Sequence, residues 1–186
     1  MFPTADYKGS FGIVGISASA HQFQAGDLVF SIRNPGGVIA LIRRIGFTLI
    51  TQATASETGS LQLAWLLARN FSVEDSGGIV LAPAEKDSHG TSSVLQLRVA
   101  SAGALTPGTR TLEANAFHGA IVPYKSGDRP YITDRLEINA ERPLVLRPNE
   151  GLVLISRLAT PATSLVAAGL EWEEVDVSYD SPEGNT

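Results

Sequence analysis

The chain has 186 residues, no cysteine, 18% charged residues and a formal net charge of −5. Without cysteine there is no thiol catalysis, no disulfide framework and no Cys-ligated zinc or iron–sulfur cluster, and the acidic balance argues against a dominant grip on nucleic-acid phosphates. A chain of this length buries roughly 70% of its unfolded surface, so it reads as one soluble domain that needs neither disulfide nor metal.

In chain order, residues 1–9 lack periodicity and read as an N-terminal arm, 10–179 as a single β-sandwich domain and 180–186 as a polar, flexible tail. Phe11 to Ala20 predicts a first strand, with Val14, Ile16 and Ala18 on one face. Asp27 to Arg33 predicts a second, with Leu28, Phe30 and Ile32 inward, and Asn34-Pro35-Gly36-Gly37 a tight connection after it. Val38 to Thr51 reads as a long third strand in which Ile45, Phe47 and Leu49 share a face. The same parity would turn Arg43 inward, so a bulge or strand end is expected near Arg43-Arg44. Ser60 to Arg69 fits a strand or a helix of about three turns. Strict alternation of Leu61, Leu63, Trp65 and Leu67 between turn-rich flanks favours the strand.

Asp75-Ser76-Gly77-Gly78 reads as a turn, Ala82 to Thr91 as a polar loop, and Ser93 to Ser101 as a strand with Leu95, Leu97 and Val99 inward. After a turn at Thr106-Pro107-Gly108-Thr109, Phe117 to Tyr124 predicts a strand interrupted by Pro123, and Ser126 to Arg129 an exposed loop. Leu144 to Leu146 and Leu152 to Leu158 flank Arg147-Pro148-Asn149-Glu150-Gly151, which predicts a hairpin. Leu165 to Val177 is the last strand. Leu170 and Trp172 share one parity there and Val175, Val177 and Tyr179 the other, so a bulge at Glu173-Glu174 is expected to return all five to one face. The result is all-β, a jelly-roll-like β-sandwich of eight or nine strands without a long helix or internal repeat. An immunoglobulin-like sandwich is the alternative, although its Cys-Trp-Cys pattern is absent. Leu63, Trp65, Phe47, Leu97, Leu154 and Trp172 are expected between the sheets.

The search for chemistry yields little. His21, His89 and His118 are not spaced to share a metal, and no metal or other cofactor is expected. Glu171, Glu173, Glu174 and Asp176 surround Trp172. Carboxylates flanking a sugar-stacking Trp would suit a glycosidase, but the alternation of Leu170 and Trp172 favours a core Trp with solvated acids on the other face. Ser10, Ser17 and Ser19 stand in no G-x-S-x-G elbow. Gly36-Gly37 and Gly77-Gly78 lack the following Lys and helix of a phosphate loop and read as turns. No catalytic residue is assigned. Arg43-Arg44, the only basic dipeptide, reads as a strand-edge or interface pair, and Lys125, Arg129 and Arg135 as a solvated surface. Phe2, Tyr7 and Phe11, in or beside the arm, are candidates for docking on a neighbour together with Arg43 and Arg44. The opening residues have neither the basic nor the apolar region of a secretion signal. Apolar runs such as Val38 to Ile42 are far too short to span a membrane.

Several segments, taken together in their order along the chain, carry a family resemblance. They are Ile42-Arg43-Arg44-Ile45, Ala68-Arg69-Asn70-Phe71-Ser72-Val73 with Asp75-Ser76-Gly77-Gly78, Ala104-Leu105-Thr106-Pro107-Gly108-Thr109-Arg110-Thr111-Leu112, Pro143-Leu144-Val145-Leu146 with Asn149-Glu150-Gly151, and Glu171-Trp172-Glu173-Glu174-Val175. Over residues 38–176 the series resembles a family of small proteins encoded among the structural genes of tailed bacteriophages. The resemblance implies a virion component made in the host bacterial cytoplasm. By analogy with phage jelly-roll cement proteins, it would be a capsid decoration protein on the outside of the shell, a homotrimer whose partners are the major capsid protein or other virion proteins, with no specific nucleic acid and no membrane. It supplies no catalytic residues. The alternatives are a tail, baseplate or head-fibre component, and a carbohydrate-binding β-sandwich module centred on Trp65 or Trp172.

Overall fold

The computed structural model describes residues 5–17, 20–52, 54–87, 91–139, 141–161 and 163–177. Apolar alternation broken by Gly, Pro and Asn becomes strands: β1 (Ala5–Ile16), β2 (Leu28–Arg33), β3 (Ile39–Thr51), β4 (Gly59–Arg69), β5 (Ile79–Leu81), β6 (Ala84–Glu85), β7 (Gln96–Val99), β8 (Thr111–Leu112), β9 (His118–Tyr124), β10 (Tyr131–Glu137), β11 (Leu144–Leu146), β12 (Gly151–Ser156) and β13 (Ser164–Val177). Among the described residues there is no helix, and Ser60 to Arg69 is strand, as its alternation requires.

Two antiparallel sheets result. The first runs β10-β3-β13-β1-β6, with β11 also on β3. The second runs β5-β7-β2-β12-β4-β8, with β9 also on β4. The eight principal strands, β1, β2, β3, β4, β9, β10, β12 and β13, follow the jelly-roll order. Numbered one to eight along the chain, they lie 1-8-3-6 in the first sheet and 2-7-4-5 in the second. The remaining strands are short. Four of them, β5 to β8, belong to the excursion between β4 and β9, and β11 continues the line of β10 along β3.

The core lies between the sheets. Leu63, Trp65, Phe47, Leu97, Leu154 and Trp172 are all buried there as expected. Phe11 stacks on Trp172 at 5.9 Å, and Phe30 meets Trp65 edge-on at 5.9 Å, geometries that suit the ring quadrupoles. A second apolar cluster, Leu28, Leu66, Ala68, Phe71, Leu105, Val153 and Ile155, covers the other face of the second sheet. Gly151 permits it: a Cβ there would sit 2.2 Å from the Ile32 carbonyl oxygen and 2.7 Å from Phe71 Cδ1.

The parity break in β3 is a bulge. Opposite β13 the register steps from Arg44↔Glu171 to Ile42↔Trp172, leaving Arg43 as the extra residue. Ala40 and Ile42 before it and Ile45, Phe47 and Leu49 after it are thereby all buried.

Four readings are corrected. Residues 5–9, assigned to an arm, belong to β1, with Ala5 opposite Val177; residues 1–4 and the tail 180–186 lie outside the described residues. Leu28, expected inward with Phe30 and Ile32, lies in the outer cluster of the second sheet, because a register step opposite β12 turns Val29 to the core instead; Val14 and Ile16 share a face as expected, the outward one, and Phe11 points to the core. The two arms around Arg147 to Gly151 do not form a hairpin, because β11 pairs with β3 and β12 with β2 and β4. The turn, with Asn149 at φ 61, is a corner between sheets, stitched by Asn149 N–H donating to the Asn34 carbonyl at 2.8 Å. Finally, β13 has no bulge at Glu173-Glu174. The extra residue lies in β1, at Lys8, and β13 keeps its alternation, so Glu174 points inward and is 1% exposed. Trp172 Nε1 donates to Glu174 Oε1 at 3.0 Å, Val94 N–H donates to Oε2 at 3.2 Å, and the Ser93 hydroxyl donates as well. Three donors replace the water that a buried carboxylate loses.

Candidate functional site

The outer face of the first sheet carries projecting apolar side chains beside a low floor. Its register sets the residues in rows. Leu165, Ile50 and Tyr131 lie across β13, β3 and β10. The next row is Ile16, Ala167, Thr48 and Thr133, followed by Val14, Gly169, Gly46 and Arg135. Val14, Ile16, Ile50 and Tyr131 are 71%, 59%, 51% and 64% exposed. Between these projecting side chains, Gly46, Gly169, Ala167 and Thr48 make a low floor, and a trough of about 710 Å³ runs over it, bounded on the far side by Ala82, Ala84 and Lys86. The Thr48 and Thr133 hydroxyls are hydrogen-bonded at 2.9 Å.

A charged row closes one end. Glu171 lies opposite both Gly12 and Arg44, and Arg44 lies opposite Glu137. Lys86 Nζ is 2.7 Å from Glu171 Oε2, Arg44 Nη1 pairs with Glu171 Oε1, and Arg44 Nη2 reaches Glu137 at 3.3 Å. The Lys86 ammonium, with help from Arg44, holds the Glu171 carboxyl below its ordinary value of 4.5. Arg43, the bulge residue, donates from Nη2 to Glu173 Oε2 at 2.6 Å. The expected basic pair is thus tied to acids of its own sheet.

The other candidates separate. Phe2 lies outside the described residues. Tyr7 is on β1, 46% exposed, and its hydroxyl donates to Asp87 Oδ2, which pushes the phenol up to about 12. Phe11 is 1% exposed and belongs to the core, not to a docking element; its expected role is withdrawn. Trp65 and Trp172 are both fully buried, so neither indole presents a face on which a sugar ring could stack.

Among the described residues no three His, Asp or Glu side chains converge as a metal site would require. His21 packs edge-on against Phe23, His118 Nε2 lies 2.9 Å from Asp134 Oδ2, and His89 lies outside the described residues. The sequence reading missed a buried ion pair in the excursion. Arg110 and Asp75 are 5% and 0% exposed at their side chains, Gly108 N–H donates to Asp75 Oδ1 at 2.6 Å, and the Arg110 guanidinium lies 4.9 Å from the Phe71 ring centroid. It also missed the projecting residues of the outer face, whose signal is that β1 is apolar on both parities.

No known protein family and no curated protein matches the sequence.

Proposed function

We propose that this is a structural protein of a tailed-phage particle, most specifically a capsid decoration protein on the exterior of the shell that reinforces the major capsid protein. The observation that carries the reading is the outer face of the first sheet: projecting apolar side chains at Val14, Ile16, Ile50 and Tyr131, bordered by a charged row and uncovered among the described residues, on a sandwich already filled by its own core. Large exposed apolar patches mark sites of protein contact. The ordered resemblance to phage structural proteins supplies the kind of particle. No reaction is assigned to the chain.

The test is band stoichiometry in purified particles of the genome that encodes it. Hundreds of copies, released when the shell is stripped, are expected of a decoration protein. A few to dozens of copies found with isolated tails would move the protein to the tail, baseplate or head fibre. Absence from particles would overturn the reading.

A further inference from the structure

The outer face of the first sheet carries a pattern that the virion reading does not explain. Branched and small residues stand side by side in register there: Val14 of β1 is opposite Gly169 of β13, and Ile16 is opposite Ala167. Along β1 runs a ridge, 71% and 59% exposed at those two residues. Along β13 and β3 runs the low floor of Ala167, Gly169, Gly46 and Thr48. Rotation by 180° about an axis parallel to the strands, between β1 and β13, exchanges ridge and floor. Each ridge then drops into the partner's trough, row upon row. A contact that the same patch makes with itself in this way is isologous and closes at two copies.

We propose that this face joins a second copy of the chain, with Val14 and Ile16 of each copy seated on Gly169 and Ala167 of the other. Packed sheets normally lie about 10 Å apart with interdigitated side chains, and a floor of Gly, Ala and Thr accepts a Val and an Ile at that spacing. The charged row of Arg44, Glu171 and Lys86 remains at the rim, where interfaces keep their charges. Four strands at ~4.8 Å and seven residues at ~3.4 Å give roughly 450 Å² per copy, about 900 Å² for the pair, just below the size of a stable specific interface. A reversible dimer follows. A trimer, which the phage resemblance implies, needs two different patches that fit each other, whereas here the two halves of one patch do. The same face cannot be covered by a shell and by a second copy at once, so docking on a particle would displace the reversible dimer; the inference does not rest on the virion reading and holds for the isolated protein.

Sedimentation velocity of the full chain, from about 1 to about 200 µM, tests it. The mass is expected to rise from one copy to two with a midpoint in the micromolar range. Val14→Arg should weaken the dimer at least about tenfold while leaving the thermal melt unchanged, since the side chain is mostly in solvent. Ala167→Phe fills the floor from the other side and should do the same, so the question stays decidable if either variant folds poorly. Ile121→Arg, at a site 58% exposed on β9 of the other sheet, should leave the dimer intact. A single-copy mass across the whole range, a trimer, or a dimer that survives both face variants would each overturn the proposal.

Discussion

The outer faces of the two sheets come from the same alternating pattern, and their central strands end in opposite states. On the second sheet the outward residues Leu66, Ala68, Val153 and Ile155 are buried beneath Phe71 and Leu105 of the excursion that leaves β4. On the first sheet, Val14, Ile16, Ile50 and Tyr131 have no cover among the described residues. Composition follows the difference. β12 is buried at every position and reads Leu-Val-Leu-Ile after Gly151, as a strand covered on both sides should. β13 alternates core residues with Ala167, Gly169, Glu171 and Glu173. Alternation says which residues share a face. Whether that face is covered is decided by a distant segment, here the stretch between β4 and β9.

The largest expected effect breaks the covered side. Phe71→Ala removes the ring that lies over Gly151 and beneath Arg110, and chemical denaturation should show a loss of about 3–5 kcal/mol. Asp75→Ala strands the buried Arg110 guanidinium and should cost about 3 kcal/mol by the same measurement; replacing both Asp75 and Arg110 by apolar residues of similar volume should recover most of it. A smaller, pH-dependent effect is expected at the border of the bare face. The folded-state pKa of Glu171 is lowered, so its contribution is complete above its ordinary value of 4.5 and fades as pH falls through the lower folded value. The difference in melting temperature between wild type and Glu171→Gln should therefore be present at neutral pH and vanish in strong acid. The smallest effect belongs to the bare face itself. Ile50→Thr should change monomer stability by no more than about 0.5 kcal/mol, and a loss comparable to that of Phe71→Ala would erase the contrast between the two faces.

Much of the sandwich was legible because inward alternation survives in its principal strands. Arg43 betrayed its bulge, since a charged side chain on the core parity of a long strand must either be turned out of the core or be paired inside it. The same logic failed in β13: the parity break there was real, but Glu174 is satisfied by Trp172, Ser93 and Val94 and needs no bulge to escape. Those donors come partly from a segment some eighty residues away, which no local pattern reports. β10 went unread because its inward side is Ile132, Asp134 and Leu136, with a charge in the middle. The turn before β12 misled because a corner between sheets uses the same Pro, Asn and Gly chemistry as a hairpin. At the candidate site, Arg43 and Arg44 were recognisable as a strand-edge pair, but their acidic partners lie about 130 residues away in the chain. Phe11 was misplaced because the break in periodicity before it looks like the end of the fold.

The position of β13 also governs how the protein can be made. It is the last of the described strands, yet it sits inside its sheet, hydrogen-bonded to β1 on one side and β3 on the other. A ribosome delivers the chain from its N-terminus at about 5–20 residues per second. Until Ser164 to Val177 emerges, β1 has no principal partner and β3 holds only one of its two long pairings. The nascent protein therefore passes through a stage with two open strand edges bordering an incomplete core. Open edges of this kind pair with other chains. Translation stopped before β13 should leave an aggregating fragment, and adding a peptide of residues 164–177 should complete the sheet and restore solubility.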